Sequence, residues 1–184
     1  ILDDASTDNS IDIAQATAAE WHRDIQIIKS KKPSGSVFYQ WEKAVKAARG
    51  EWVWIAEADD LCDPQFLEKL FHALRQFPDA KMAFSDSRSI DANGAPLTSS
   101  YRNYCSEASG NILDHDGYFL GRDFLKACLS ERNLVLNVSG AIFRRDSIRD
   151  ALVKCRQDLK SLKIAGDWRL YAELLDQEDA GIVY

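Results

Sequence analysis

Apolar positions along this chain alternate between short β-branched or aromatic runs and longer stretches with helical spacing. Ile1-Leu2 runs into Asp3-Asp4-Ala5-Ser6-Thr7-Asp8-Asn9-Ser10, the pattern of a buried strand ending in an Asx- and Ser-rich turn. That turn leads into a helix predicted over residues 11–22. Ile25 to Ile28 reads as a second strand, and Lys31-Lys32-Pro33-Ser34-Gly35 breaks the chain after it. From Ser36 onward, Val37, Phe38, Trp41, Ala44, Val45 and Ala48 recur at helical spacing, with Gly50 as the stop signal. Trp52 to Ala56 is apolar at every position, which predicts a third strand covered on both faces. Asp63-Pro64 predicts the start of a helix, with an N-cap followed by proline in the first turn and a stripe of Phe66, Leu67, Leu70, Phe71 and Leu74.

Past Met82-Ala83-Phe84 the rhythm loosens. Asp91-Ala92-Asn93-Gly94 is a turn, and residues 95–116 carry few periodic apolar positions and read as loop. Helices are predicted over residues 117–129, 147–162 and 168–176, with a strand from Ser139 to Arg144 and another beginning at Gly181. Strands alternating with helices imply an open α/β sheet, largely parallel in its first half. Ligands are then expected at the carboxyl ends of the strands. With 184 residues, one domain covering 1–184 is expected.

Charge changes the picture by exclusion. A formal net charge of −6 opposes the basic footprint that phosphate-backbone binding requires, so nucleic acid is not an expected partner. A nucleoside diphosphate remains compatible, because a divalent cation reverses the local field at clustered carboxylates. Cys62, Cys105, Cys128 and Cys155 are spread out with no CxxC pair, which speaks for reduced thiols in a cytoplasmic protein rather than a zinc site or disulfide framework. The longest apolar runs fall far short of the roughly 20 residues that span a bilayer. The opening Ile1-Leu2-Asp3-Asp4 is no secretory signal, so any targeting signal is expected to lie outside these residues.

The candidate chemistry is acidic. Asp3-Asp4 stand where one predicted strand ends, and Glu57-Ala58-Asp59-Asp60 stand where another ends. Carboxylates gathered at strand ends repel one another unless a cation or hydrogen-bonding ligand joins them. Turn capping accounts for Asp8, Asn9 and Asp63, whereas Asp59 and Asp60 are left without a structural task, because Asp63 already serves the following helix. Asp167 stands at the start of the helix from Trp168, where capping and catalysis are both open to it. His22, His72 and His115 have no ligand partner at a useful spacing and read as structural or solvent-facing. Trp41, Trp52 and Trp54 read as core, while Tyr101, Tyr104 and Trp168 are candidates for acceptor contact.

Three of these segments together resemble a known family. Asp3-Asp4-Ala5-Ser6-Thr7-Asp8 is similar to the DDGSTD segment of family 2 glycosyltransferases, with Ala5 where glycine is usual. Gly50 to Asp60 resembles the family's GEYIxFLDADD segment, which carries its DXD metal motif, with Glu57 at the first acidic position. Gly166-Asp167 stands where the family places an ED or GD pair whose aspartate is the general base. The resemblance implies a GT-A fold, a mixed and mainly parallel sheet flanked by helices, with a nucleotide-binding half over residues 1–95 and an acceptor-side half over residues 96–184. It implies nucleotide contacts from Asp3, Asp4, Ser6 and Glu57, Mn²⁺ or Mg²⁺ on Asp59, and Asp167 as the base of an inverting transfer. The expected donor is a nucleotide-diphospho-sugar, UDP-sugar foremost, and the expected acceptor a saccharide or lipid-linked hydroxyl.

Family members carry a further strand and turn ahead of the DDGSTD segment, so the chain reads as a fragment without that strand. An open sheet edge then predicts self-association and weak or absent activity of the fragment alone. In the full-length protein, a cytoplasmic setting, peripheral at the inner face of a membrane, is expected. Two rivals stand beside this reading. A phosphoacceptor receiver domain lacks the Lys-Pro turn it would need after Lys32-Pro33, and a catalytically silent GT-A domain that binds a sugar nucleotide or glycan stays open.

Overall fold

A computed structural model describes residues 1–184, and the chain divides into two compact units, residues 1–47 and 48–184. In the first unit, β1 (Leu2–Asp3) is followed by α1 (Ser10–Glu20), β2 (Ile28–Lys29) and α2 (Val37–Ala47). The two strands pair in parallel, with Leu2 opposite Ile28 and Asp3 opposite Lys29. The second strand therefore begins where the predicted run Ile25 to Ile28 ends. Its partner is only two residues long, and Ile25 lies exposed outside the pairing. In α2 the stripe Phe38, Trp41 and Val45 is buried, as its spacing predicts, whereas α1 buries no residue within its unit.

The second unit is built on a five-stranded mixed sheet in the order β3 (Trp52–Trp54), β6 (Ala141–Arg144), β4 (Ala80–Phe84), β7 (Gly181–Val183) and β5 (Tyr118–Leu120). β6 runs antiparallel to both β3 and β4, β7 runs parallel to β4, and β5 runs antiparallel to β7. The central strands carry the buried core: Met82, Ala83, Ile142, Phe143 and Ile182 are all sealed from solvent. β3 is the edge strand of this sheet, and Trp52 and Trp54 are half-buried there. The covering of both faces is therefore partial: Val53 is buried, and Trp52 and Trp54 pack on Phe71 and Phe66 while keeping some exposure.

Helices pack on this sheet. α3 (Phe66–Leu74) buries Phe66, Leu70 and Leu74, and α6 (Arg145–Lys154) buries Ile148, Ala151 and Leu152. α3 starts two residues later than Pro64 suggests. Asp63 instead closes an Asx turn, accepting from the Gln65 amide at 2.8 Å, while its carbonyl accepts from the Phe66 amide at 2.9 Å.

Three expectations change in the second half. The stretch 95–116 is not all loop, since α4 (Arg102–Ser109) and a 3₁₀ turn (Ile112–Asp114) lie within it. α4 buries only Cys105 and Ser109, so no apolar stripe announces it. The predicted helix over 117–129 opens as strand β5, and α5 (Gly121–Phe124) follows and runs on as a wider π turn over Leu125–Leu129. The predicted helix over 147–162 breaks at Cys155 into α6 and α7 (Arg156–Ser161), before α8 (Gly166–Leu175). Where β5 turns into α5, a Cβ on Gly121 would sit 2.3 Å from the Leu175 carbonyl oxygen, so only glycine fits against the end of α8. No helix is long and apolar enough to cross a membrane.

Candidate active site

In the first unit, the turn after β1 folds its acidic residues back onto the backbone. Asp3 is buried at 7% exposure, and its Oδ1 accepts from the Ser6 amide at 3.2 Å. This chain's Ala5 has φ +68°, in the left-handed region where glycine is at ease, which gives a physical reason for the glycine usual at that position. Asp4 is held across the unit: both its carboxylate oxygens accept from the Ser34 amide, and the Ser34 hydroxyl donates to Oδ2 at 2.7 Å. Gln40 of α2 donates to Oδ1, and Lys43 donates to the Ser30 hydroxyl at 2.9 Å. The Ser34 hydroxyl bond leads the shift that holds Asp4 below the usual carboxylate range. Ser6 is exposed, and Lys31 and Lys32 are solvated.

In the second unit, β3 delivers the acidic loop. The ligand oxygens of Glu57, Asp59 and Asp60 all lie within 4.8 Å of one another, with Asp59 exposed and the other two half-buried. Oxygens sharing an octahedral Mg²⁺ sit about 2.0–2.1 Å from the ion and thus about 3.0 Å apart when adjacent. Hard carboxylate donors suit Mg²⁺ or Mn²⁺ over softer metals, so the residues fit the cation that the family resemblance implies.

A residue without an assigned role in the sequence holds this loop. Ser139, at 7% exposure, accepts the Glu57 amide on its Oγ at 2.9 Å, and its carbonyl accepts from Trp54 Nε1 at 2.8 Å. Ser139 lies in the 3₁₀ turn Val138–Gly140, which Asn137 caps by accepting the Gly140 amide on its side chain. Glu57 and Ser139 are 82 positions apart, and no local signal joins them.

Asp167 lies in the first turn of α8. It does not cap the helix: the N-cap is Ala165, at φ +60°, with no side-chain bond. Asp167 Oδ2 instead accepts from Asn133 Nδ2 at 2.8 Å, a partner that sequence reasoning missed. One turn further on, Tyr171 is fully buried. Burial pushes its hydroxyl well above the ordinary tyrosine range, and the negative charges of Asp167 and Glu57 push the same way.

The other candidates divide as follows. His22, His72 and His115 are exposed. Trp41 is core, Trp54 is tied to Ser139, and Trp168 Nε1 donates to the Leu129 carbonyl at 2.9 Å, which fixes its ring against the π turn. Tyr104 is exposed beneath Arg132, which stacks 5.4 Å from its ring centroid. Cys62 is exposed, and burial pushes the thiols of Cys105 and Cys128 up to about 11, which keeps them protonated and inert.

A mixed sheet flanked by helices, whose edge strand ends in an acidic loop, has the architecture of the GT-A class of glycosyltransferase folds. Solved structures agree. Staphylococcus aureus TarS residues 1–349 superposes with a TM-score of 0.66 at 15% identity, covering 98% of this chain and 47% of that one. The same protein in complex with UDP gives 0.64 at 15% identity, covering 98% and 46%. In complex with UDP-GlcNAc it gives 0.63 at 14%, covering 98% and 45%. The chain thus spans a little under half the length of these structures. No curated protein matches it in sequence. The profile of glycosyl transferase family 2 matches residues 1–152, and the chain belongs to that family.

Proposed function

We propose that this chain is the donor-binding and catalytic region of an inverting, metal-assisted glycosyltransferase that takes a UDP-sugar as donor and a saccharide or lipid-linked hydroxyl as acceptor. The observation that carries the reading is the acidic loop after β3, where the ligand oxygens of Glu57, Asp59 and Asp60 lie within 4.8 Å of one another in a chain of glycosyl transferase family 2. TarS in complex with UDP and with UDP-GlcNAc supports a uridine nucleotide on this fold.

Each residue then has a role. Asp59, with Glu57 and Asp60, would hold a divalent cation, which when bound would supply charge stabilisation for the departing diphosphate. Within the first unit, Asp3, Asp4 and Ser6 stand where the family resemblance implies nucleoside contact, and Ser34 and Gln40 hold the Asp4 carboxylate in place. Asp167, turned by Asn133, accepts the proton of the acceptor hydroxyl as its oxygen attacks the anomeric carbon from the face opposite the diphosphate, which inverts the configuration.

The test is calorimetry of UDP binding with and without Mn²⁺, repeated on Asp59→Ala. Metal-dependent binding that disappears in the variant is the expected result. Binding indifferent to Mn²⁺, or equal in the variant, removes the metal role. Retained nucleotide binding with no transfer in the full-length protein favours a silent binding domain instead.

A further inference from the structure

The hydroxyl of Tyr171 has no hydrogen-bond partner, although the residue is 0% exposed. Its ring stacks on Phe143 of β6, with centroids 5.9 Å apart and planes 15° apart, so its orientation is set by packing. Buried tyrosine hydroxyls ordinarily find a partner, and one left unmade destabilises the fold, whereas phenylalanine fills nearly the same space without that penalty. The position therefore holds a polar atom that the free protein does not need.

Helix position says which side chain lies beside it. Asp167 and Tyr171 are four residues apart on α8, and such pairs share a helix face with Cβ atoms about 5–6 Å apart. Asn133 occupies one oxygen of the Asp167 carboxylate. As a neutral phenol, Tyr171 offers a carboxylate a donated hydrogen bond.

We infer that Tyr171 is a positioning residue for the base: in the substrate-loaded protein its hydroxyl donates to the Asp167 carboxylate and, with Asn133, fixes the rotamer from which Asp167 meets the acceptor. The inference rests on the reading of Asp167 as base. Hydrogen bonds of this kind are often open in the free enzyme and tighten on loading, which accounts for an unmatched hydroxyl at rest.

The experiment uses the full-length protein with Mn²⁺ and a panel of UDP-sugars, comparing Tyr171→Phe and Asp167→Asn with the unaltered protein. Tyr171→Phe is expected to melt at or above the unaltered temperature and to keep the donor KM. Its kcat falls about 10- to 100-fold, the worth of a hydrogen bond to a charged group. An unchanged kcat in Tyr171→Phe, while Asp167→Asn binds nucleotide but no longer transfers, overturns the inference alone. A lowered melting temperature overturns it too, by making the hydroxyl structural. Full activity in Asp167→Asn, or no turnover in the unaltered protein, removes the reading of the base and this inference with it.

Discussion

Replacing Ser139 with alanine tests whether the acidic loop is held by the side-chain hydroxyl of the strand entry opposite it. The serine Oγ accepts the Glu57 amide at 2.9 Å from a site only 7% exposed, so alanine leaves that amide without its partner. A made hydrogen bond contributes about 0.5–1.5 kcal/mol, and an abandoned buried donor costs about 1–3 kcal/mol. Glu57 is half-buried and water reaches part of its surroundings, so about 1–2 kcal/mol is expected. For a chain of this size that lowers the melting temperature by about 2–8 °C. On the proposed role of the loop, its reordering around a cation would weaken Mn²⁺ binding in the presence of UDP by about 3- to 10-fold. Thermal melts and Mn²⁺ titration calorimetry read the two effects separately. Trp54→Phe removes the indole bond to the same residue's carbonyl, so the double variant should fall short of additivity by about 0.5 kcal/mol or more. A lower melting temperature with unchanged Mn²⁺ affinity refutes the reasoning, because Ser139 would then be an ordinary core contact. No change in either would refute it more completely.

Two further outcomes follow from the geometry. Asp4 is held below the ordinary aspartate value of 3.8 by Ser34, so its contribution is present above that value and is lost as pH falls through the lower folded one. Ser34→Ala should therefore be less stable than the unaltered chain near neutrality, with the gap in urea midpoint narrowing in acid; a gap independent of pH contradicts this. Gly121→Ala drives a methyl into the Leu175 carbonyl and should cost about 2–3 kcal/mol, or roughly 5–10 °C in melting temperature, so an unshifted melt would contradict the close approach.

Elements whose own side chains form a stripe were legible in the sequence: α2 through Phe38, Trp41 and Val45, and α3 through Phe66, Leu70 and Leu74. α4 was not, because it touches the core through Cys105 and Ser109 alone. β5 was hidden because Tyr118, Phe119 and Leu120 continue into an apolar helix, and only pairing with distant β7 makes them a strand. The acidic side chains stood out because carboxylates at strand ends are conspicuous in any sequence. Their supports did not. Asn133 reaches Asp167 across 34 positions and Ser139 reaches Glu57 across 82, and nothing in the composition of either neighbourhood marks the pairing.

The loop after β3 hangs from Ser139 by a peptide nitrogen, and every amino acid except proline supplies one. Anchorage is thereby uncoupled from the identity of the side chain at position 57. A glutamate can stand where aspartate is commoner without unseating the loop, and its longer arm changes reach rather than attachment.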